Sequence, residues 1–252
     1  MSIESMNEHN GIGRQTALYG YIAEEAQQNR LSVSMNRLFK SANDDAMMIP
    51  MNIREDDFYF TLSNMRDAQL AGTFIGAEFV KSASEIVDEQ SELSRTCGGC
   101  DVVMVKDKKL IGDFIAIQSL FELLSEKGAQ KIAVIGAGML AKAIALTPSD
   151  FELHFYHEYI ESLMKMSETV DVDINRLSSE SDLAVYDAVI DASNIESLSM
   201  LKALPNLCID LKGTKEFSAL RQRSNELGVS YIGYEDQLDY LTQNAYKYIK
   251  NR

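Results

Sequence analysis

One short stretch in the middle of the chain constrains its fold more than any other, an apolar run followed by a glycine-rich turn. The run is Lys131–Ile135, and residues 136–141 follow it with the sequence GAGMLA, which fits the spacing G-x-G-x-x-G/A. The first glycine permits a tight turn, the second lets a pyrophosphate approach the backbone, and the small last residue lets a helix pack on the strand. The stretch predicts the strand, turn and helix start of a Rossmann dinucleotide-binding unit.

A carboxylate stands where such a unit holds the ribose of its cofactor. Glu158 follows a second apolar run, Glu152–Tyr156, about 20 positions after Gly136. NAD sites place an acidic residue here to bind the ribose 2′-hydroxyl, whereas NADP sites place a basic residue for the 2′-phosphate. Neither Lys nor Arg occurs between Glu158 and Lys165, so the sequence predicts NAD in preference to NADP.

Further residues around the turn are predicted to contact the cofactor. A helix N-terminus behind the turn would direct its N–H groups at the phosphates. A later strand, Ala188–Asp191, ends in small polar residues, which in Rossmann folds line the nicotinamide side of the crevice. The predicted cofactor contacts are Gly136, Ala137, Gly138, Met139, Leu140, His157, Glu158 and Ser193. The alternative is that the glycines only shape a turn in a unit that binds nothing.

Strand-like and helix-like patterns alternate along the chain. The predicted strands are Ala17–Ile22, Met47–Met51, Thr73–Ala77, Asp101–Val105, Lys131–Ile135, Glu152–Tyr156, Ala188–Asp191 and Leu207–Leu211. The predicted helices are Ser34–Ser41, Asp56–Asp67, Ser82–Cys97, Phe114–Glu126, Phe217–Leu227 and Gln237–Asn251. This alternation predicts an α/β fold with mainly parallel sheets. We place an N-terminal α/β substrate domain at residues 1–112 plus 236–252, and a doubly wound Rossmann domain at residues 113–235.

The amino-acid composition limits the kinds of molecule that this protein can be expected to bind. The formal net charge of −14 at pH 7 argues against nucleic acid, and no apolar run approaches the ~18 residues that a membrane span needs. The first residues lack a signal-peptide pattern, so we expect a cytoplasmic protein with a small-molecule substrate, as a monomer or a homodimer. Cys97 and Cys100 form the CxxC pair of the chain. Because no ligands are suitably spaced around it, we expect a glycine-rich turn there and no metal.

Other short motifs lie in the order found in one enzyme family. A strand at residues 18–22 precedes Ser32 and Ser34, and the segments GTFIGAEFVK at 72–81 and GGCDV at 98–102 follow. Over nearly the whole chain this order resembles the shikimate and quinate dehydrogenase family. The resemblance implies an NAD(P)-dependent oxidoreductase that acts on a small carboxylated metabolite. The substrate-binding residues that it implies are Ser32, Ser34, Asp101 and Gln243.

The departures from the family fall on its chemistry. In this family a Lys and an Asp form the proton-transfer pair, and those positions are Val80 and Ala116 here, with Lys81 one residue later as the candidate catalytic group. A methyl group transfers no proton, and each missing acid or base commonly costs about 10²–10⁴-fold in rate. The sequence therefore predicts a divergent oxidoreductase that is inefficient on shikimate. The alternative is a non-catalytic family member that binds nucleotide or metabolite as a sensor or scaffold.

Each candidate residue also has a purely structural interpretation. Ser-x-Ser commonly begins a helix, so Ser32 and Ser34 bind a carboxylate or cap a helix. Lys81 reaches the interdomain cleft or lies in solvent at the start of the next helix. Asp101 and Asp113 flank the cleft, where they either replace the missing acid and base or are solvated turn residues.

Overall fold

Two sheets of six strands organise the protein, one in each half of the chain. The computed structural model describes residues 16–213 and 215–252. The strands and helices alternate as the sequence predicts, and the predicted two-domain α/β fold is confirmed. None of the helices in the described ranges has the length and apolar character to cross a membrane.

The first sheet is mixed, with the strand order β2-β1-β3-β5-β6-β4. Its strands are β1 (Ala17–Ala23), β2 (Ala46–Asn52), β3 (Leu70–Ile75), β4 (Glu89–Gln90), β5 (Val102–Lys106) and β6 (Lys109–Asp113). The pairs β1–β2, β1–β3 and β4–β6 are parallel, whereas β5 runs antiparallel to β3 and β6. Asp107 and Lys108 both have positive φ, 51° and 61°, which is the conformation of a two-residue hairpin turn and explains the antiparallel β5–β6 pair.

The helices of this half are α1 (Leu31–Ser41), α2 (Glu55–Asn64), α3 (Val80–Ile86) and α4 (Glu92–Cys97). The single predicted helix Ser82–Cys97 is wrong, because α3 and α4 are separate and β4 lies between them. The backbone becomes extended at Val87, which ends α3. The carboxylate of Asp88 then binds the Arg66 guanidinium and accepts the backbone N–H of Leu110. Ser91 caps α4 by accepting the N–H of Ser94 at 3.1 Å.

The second sheet is entirely parallel and has the strand order β12-β11-β10-β7-β8-β9. Its strands are β7 (Lys131–Ile135), β8 (Glu152–His157), β9 (Asn175–Arg176), β10 (Ala188–Asp191), β11 (Leu207–Asp210) and β12 (Ser230–Ile232). This is the strand order of the doubly wound dinucleotide-binding fold, in which the winding reverses between its first and fourth strands. Here those strands are β7 and β10, so ligands are expected in front of their carboxyl ends.

The helices of the second half are α5 (Ala116–Glu126), α6 (Met139–Leu146), α7 (Ile160–Ser167), α8 (Ala219–Leu227) and α9 (Leu238–Lys250). The last helix packs on both halves of the chain. Asn244 donates to the hydroxyl of Ser119 on α5 at 3.1 Å, and Tyr246 donates to Asp44 behind α1 at 2.6 Å. These contacts bring α9 to the line along which the two sheets face each other.

An imidazole on β8 is held between two carboxylates. His154 Nδ1 lies 2.7 Å from Asp173 Oδ2, and its Nε2 lies 2.8 Å from Glu152 Oε1. The hydrogen bond with Glu152 is the main reason that the pKa of His154 is raised above its ordinary value of 6.5, and Asp173 acts in the same direction. A raised pKa means that the folded state binds the proton more tightly than the unfolded state.

We expect this group to stabilise the fold more at low pH. Its contribution is fully present below about pH 6.5, the unfolded pKa, and is lost as the pH rises through the folded pKa. Urea unfolding of the wild type and His154→Gln should differ by less than about 1 kcal/mol, because the carboxylates are partly exposed. The difference should be larger at about pH 5.5 than at about pH 8.5. The same difference at both pH values would contradict the assignment.

Candidate functional site

A cavity of about 210 Å³ lies between the two sheets, in front of the first turn of α6. Its walls come from both halves of the chain and are mainly apolar. The apolar residues are Leu31, Phe74, Ile75, Ala77, Val80, Phe114, Ile115, Ala116, Met139, Leu140, Leu211, Leu241 and Ala245. The absence of a side chain on Gly99 leaves room for Met139 against Val80, so α4 and α6 meet closely at this point.

Asp101 is the ionisable acid in this wall. Its two oxygens accept the first backbone N–H groups of α5, from Ile115 at 2.8 Å and from Ala116 at 2.7 Å. Burial raises the pKa of Asp101 to about 7, although both backbone hydrogen bonds oppose this rise. A carboxyl group with such a pKa gives up and accepts a proton near neutral pH, which is the property required of a general acid and base.

A hydrogen-bonded cluster of three residues from different parts of the sequence also contributes to the cavity. The Nδ2 group of Asn29 donates to the hydroxyl of Tyr21 and to that of Tyr234, each at 2.9 Å. Both tyrosines line the cavity, and burial raises the pKa of each hydroxyl. Sequence reasoning missed this cluster, because Asn29 and Tyr234 lie 205 positions apart and form no motif.

The structure does not bring Lys81 to the cavity, which corrects its prediction as the catalytic residue. Lys81 is exposed on α3, while its neighbour Val80 is buried and lines the cavity. Consecutive residues of an α-helix point about 100° apart, and here Val80 faces the cavity while Lys81 faces solvent. The inward position therefore carries an isopropyl group.

The two serines of the predicted carboxylate site lie elsewhere. The structure begins α1 at Leu31, so Ser32 and Ser34 are inside its first turn, and neither caps the helix nor lines the cavity. Asn29 Oδ1 accepts the N–H of Leu31 at 2.8 Å instead, and Leu31 takes the cavity position. The hydroxyl of Ser32 is buried without a hydrogen-bond partner among the described residues.

Gln243 also differs from its prediction as a substrate contact. Its side chain is exposed on α9, whereas Leu241 and Ala245 of the same helix line the cavity. Two positions along a helix correspond to a rotation of about 200°, which places Gln243 on the opposite face. Of the four predicted substrate contacts, Asp101 is the one in the cavity wall.

The glycine-rich turn has the backbone that its sequence predicts. Gly136 has φ of 138°, and a Cβ atom there would lie 2.7 Å from the backbone oxygen of Ala192. Gly138 is the N-cap of α6, no side chain caps that helix, and the space where its Cβ would be is open. A tight first glycine, an open second glycine and an uncapped helix N-terminus suit a bound pyrophosphate.

Substitution of the two glycines should therefore separate folding from binding. We expect Gly136→Ala to cost about 1–3 kcal/mol of unfolding free energy, because its φ and the Ala192 oxygen both oppose a side chain. Gly138→Ala should leave stability within about 0.5 kcal/mol but weaken dinucleotide binding at least tenfold, since the methyl would occupy the phosphate approach. Calorimetric titration and urea unfolding of both variants measure this. Unchanged dinucleotide affinity in Gly138→Ala would contradict the assignment.

Ser193 lies beside the glycine turn at the carboxyl end of β10. Its hydroxyl donates to Asp191 Oδ1 at 2.6 Å, and the other oxygen of Asp191 is 3.1 Å from Lys212 Nζ. Asp191 is fully buried, which raises its pKa despite the nearby lysine. Lys212 was not singled out by sequence reasoning, because it follows β11 without a recognised motif.

The comparisons with known proteins agree on one fold. No family model matches the chain. The curated shikimate dehydrogenase (NADP⁺) of Pyrococcus furiosus is 25% identical over 137 residues, which cover 53% of this chain and 50% of that protein. A crystal structure of shikimate dehydrogenase from Listeria monocytogenes in complex with shikimate and NAD covers 97% of this chain and 95% of its own, with a TM-score of 0.73 and 16% identity. The predicted resemblance is confirmed. This chain is similar to shikimate dehydrogenases at low sequence identity.

The similarity has clear bounds. The chain spans about half the length of the curated relatives that it matches. The same fold also occurs in the 5-ketofructose reductase of a Gluconobacter strain. The two structures align with a TM-score of 0.68 and 15% identity, over 91% of each chain. At these identities the solved structures establish the fold. The similar proteins include both an NADP⁺ enzyme and a structure with NAD, so they do not favour one dinucleotide.

The cavity contains methyl groups at both positions that the sequence resemblance assigns to the proton-transfer pair. Val80 and Ala116 line it, and the backbone N–H of Ala116 binds Asp101. The Asp101 carboxyl therefore reaches the start of α5, the place where the family motif would supply its aspartate. Asp101 is the structural candidate for proton transfer.

A basic residue that sequence reasoning missed lies beside Glu158, the residue predicted to bind the cofactor ribose. Glu158 is exposed after β8, and it lines a surface depression together with Arg176 of β9. His157 pairs with Arg176 in the sheet register, and its Nδ1 accepts the N–H of Tyr159 at 3.0 Å. Arg176 is distant from Glu158 in the sequence and lies beside it only because β9 pairs with β8.

The CxxC segment is a turn, as the sequence predicts. Cys97 ends α4, Gly98 follows in the left-handed conformation, and both thiols are free and buried. Burial raises the pKa of Cys97 to about 11 and that of Cys100 to about 12, which disfavours the thiolate. Within the described residues, no group of histidine, cysteine and carboxylate side chains is arranged to hold a metal ion.

Proposed function

We propose that the protein is an NAD(P)-dependent oxidoreductase that transfers hydride to or from a small molecule in the cavity between its two sheets. One observation carries the proposal: Asp101 and the first residues of α6 line the same cavity. A proton-transfer group and a dinucleotide-binding turn thereby share one space. Conversion between an alcohol and a ketone requires both a hydride and a proton at adjacent atoms.

The residues around the glycine turn fit a nicotinamide dinucleotide. Gly136 makes the tight turn, Gly138 leaves space for the pyrophosphate, and the N-terminus of α6 would present its free N–H groups to it. Met139 and Leu140 would provide an apolar wall beside the nicotinamide. The bound dinucleotide would supply the hydride in reduction and accept it in oxidation.

Asp101 would handle the proton. In reduction, hydride adds to the carbonyl carbon, and the electron pair of the C=O bond takes the proton from a protonated Asp101 oxygen. In oxidation, ionised Asp101 removes the hydroxyl proton while hydride leaves the same carbon. The two hydrogen bonds from the start of α5 hold the carboxyl group in place in both directions.

A non-catalytic role as a nucleotide or metabolite sensor is the second candidate. What favours it is that Val80 and Ala116, the positions that the resemblance assigns to the proton-transfer pair, line the cavity with methyl groups. Assays of small ketones with NADH and NADPH, and of alcohols with NAD⁺ and NADP⁺, separate the two. Dinucleotide-dependent turnover supports the oxidoreductase, whereas tight dinucleotide binding without turnover of any carbonyl compound or alcohol supports the sensor.

We also propose NAD as the preferred dinucleotide, because Glu158 would bind the ribose 2′-hydroxyl and repel a 2′-phosphate. Glu158→Arg is expected to change the ratio of the NAD⁺ and NADP⁺ dissociation constants by at least about 10-fold toward NADP⁺, through the loss of repulsion and an added cation beside Arg176. Glu161→Arg makes the same charge change on exposed α7, outside the depression, and should leave the ratio unchanged. An equal change in both variants would mean that net charge alone is responsible.

A further inference from the structure

We infer that the small molecule bound in the cavity is uncharged and mainly apolar: a small cyclic ketone or secondary alcohol. This differs from the carboxylated metabolite that the sequence predicts. The reaction that the compound undergoes rests on the proposed function. The chemical class of the compound is inferred from the cavity wall alone.

The first argument is the charge of the wall. Of the described residues that line the cavity, none is a lysine, arginine or histidine, and the one charged group is the carboxyl of Asp101. A carboxylated ligand would bring a second negative charge close to Asp101 without a cation to balance either charge. Burial of an unpaired charge is strongly unfavourable, so the wall discriminates against anions.

The second argument is the placement of the residues that were expected to bind a carboxylate. Ser32 and Ser34 lie within α1 away from the cavity, and Gln243 is exposed. The positions that do face the cavity on the same two helices are Leu31 and Leu241. Apolar side chains thus replace polar ones where a polar substrate would be held.

The third argument is the kind and number of polar groups that remain. Apart from Asp101, the polar side chains in the wall are the hydroxyls of Tyr21, Tyr234 and Ser119, which are neutral. Asn29 already engages both tyrosine hydroxyls, and Asn244 donates to that of Ser119. A hydroxyl that accepts a hydrogen bond keeps its own O–H, so the wall can offer a ligand neutral hydrogen bonds beside Asp101 but no positive charge.

The size of the cavity sets the size of the ligand. Its volume of about 210 Å³ is below the ~300–1,000 Å³ usual for pockets that bind drug-sized compounds. A single six-membered ring with a short substituent is of suitable size. A larger or multiply hydroxylated compound would need both more space and more polar partners than the wall provides.

The test uses three cyclohexanols that carry a methyl, a carboxylate or an aminomethyl group at the same ring carbon. Their dissociation constants are measured calorimetrically at about pH 8, where the carboxylate and the amine are charged, with and without saturating NAD⁺. We expect the methyl compound to bind at least about 100-fold more tightly than the carboxylate and more tightly than the amine. Tightest binding of the carboxylate or of the amine would overturn the inference.

Three variants test the inference independently of the affinities measured for the wild type. Asp101→Asn removes the repelling charge. The ratio of the dissociation constants of the carboxylate and methyl compounds should therefore fall about 10-fold or more. Leu241→Lys adds a cation to the wall and should improve carboxylate binding by at least about 10-fold, whereas Gln243→Lys adds the same cation on the exposed face and should not. Equal effects of the two lysine variants would contradict the assigned wall.

The outcomes for ligand and reaction are separable. If the methyl compound binds best but no dinucleotide supports its oxidation, the inference on the ligand stands and the proposed oxidoreductase function fails. If dinucleotide-dependent turnover is found only with carboxylated compounds, the function stands and the inference fails.

Discussion

Asp101→Asn is expected to lower kcat/KM for the best substrate by about 100- to 10,000-fold, the range for loss of a general acid or base. Asparagine has nearly the same shape, but its amide neither gives up nor accepts the required proton. Its single oxygen can accept only part of the two N–H bonds that Ile115 and Ala116 now donate. We therefore also expect a loss of about 1 kcal/mol in unfolding free energy, far less than the change in the activation barrier.

The pH dependence distinguishes a proton-transfer role from a structural one. Since burial raises the pKa of Asp101 to about 7, reduction should be fastest below this pH, where the acid is protonated, and should decline above it. Oxidation should show the opposite trend, because it requires the ionised form. Both trends should disappear in Asp101→Asn.

A matched control for this experiment lies nearby. Asp113 ends β6, accepts the Ser91 hydroxyl at 2.6 Å and pairs with Arg252 at 2.9 Å, and it is outside the cavity wall. Asp113→Asn should keep kcat/KM within about threefold of the wild type, because Asp113 lies outside the cavity wall, while loss of its charge should lower the pKa of Asp101 somewhat. Retention of wild-type activity and pH profile in Asp101→Asn would remove Asp101 from the mechanism.

Shikimate is expected to be turned over at least about 1,000-fold more slowly by this protein than by a shikimate dehydrogenase assayed beside it, with either NAD⁺ or NADP⁺. Val80 and Ala116, the positions that the sequence resemblance assigns to the proton-transfer pair, line the cavity with methyl groups. Shikimate also carries a carboxylate and several hydroxyls, for which the apolar wall offers few partners. The two effects act on the chemical step and on binding.

The comparison should be made over a range of shikimate concentrations. A low kcat with a low KM for shikimate would mean that only proton transfer is impaired. A rate that never saturates with shikimate would mean that binding is impaired as well. Turnover at a rate comparable with the reference enzyme would contradict both the assigned wall and the importance of the missing pair.

The elements of the fold were largely predictable because their patterns are local. Lys131–Ile135 and Ala188–Asp191 are strands with the predicted bounds, and the φ of Gly136 matches its place in the motif. The strands β4, β6, β9 and β12 were missed. Three of them have only two or three residues, which give no period, and β6 has charged ends and a glycine. The break between α3 and α4 depends on the distant partners of Asp88, Arg66 and Leu110, which no local pattern contains.

The site was less predictable because it depends on which face of each helix points inward. An error of one residue exchanges Lys81 for Val80, and an error of two exchanges Gln243 for Leu241. Motif alignment cannot resolve shifts of this size in a divergent chain. Asp101 was named from its motif, but its raised pKa follows from burial that only the folded structure supplies.

The most direct test of the account is thermal unfolding of the protein with millimolar NAD⁺ and NADP⁺, with Gly138→Ala as the matched variant. Ligand at about 100 times its dissociation constant adds about 2.7 kcal/mol, so the wild-type Tm should rise by roughly 5–10 °C with the preferred dinucleotide. Gly138→Ala should keep the wild-type Tm without ligand and show a much smaller rise with it. If neither dinucleotide changes the wild-type Tm at millimolar concentration, the turn at Gly136 binds no cofactor and the oxidoreductase account is contradicted.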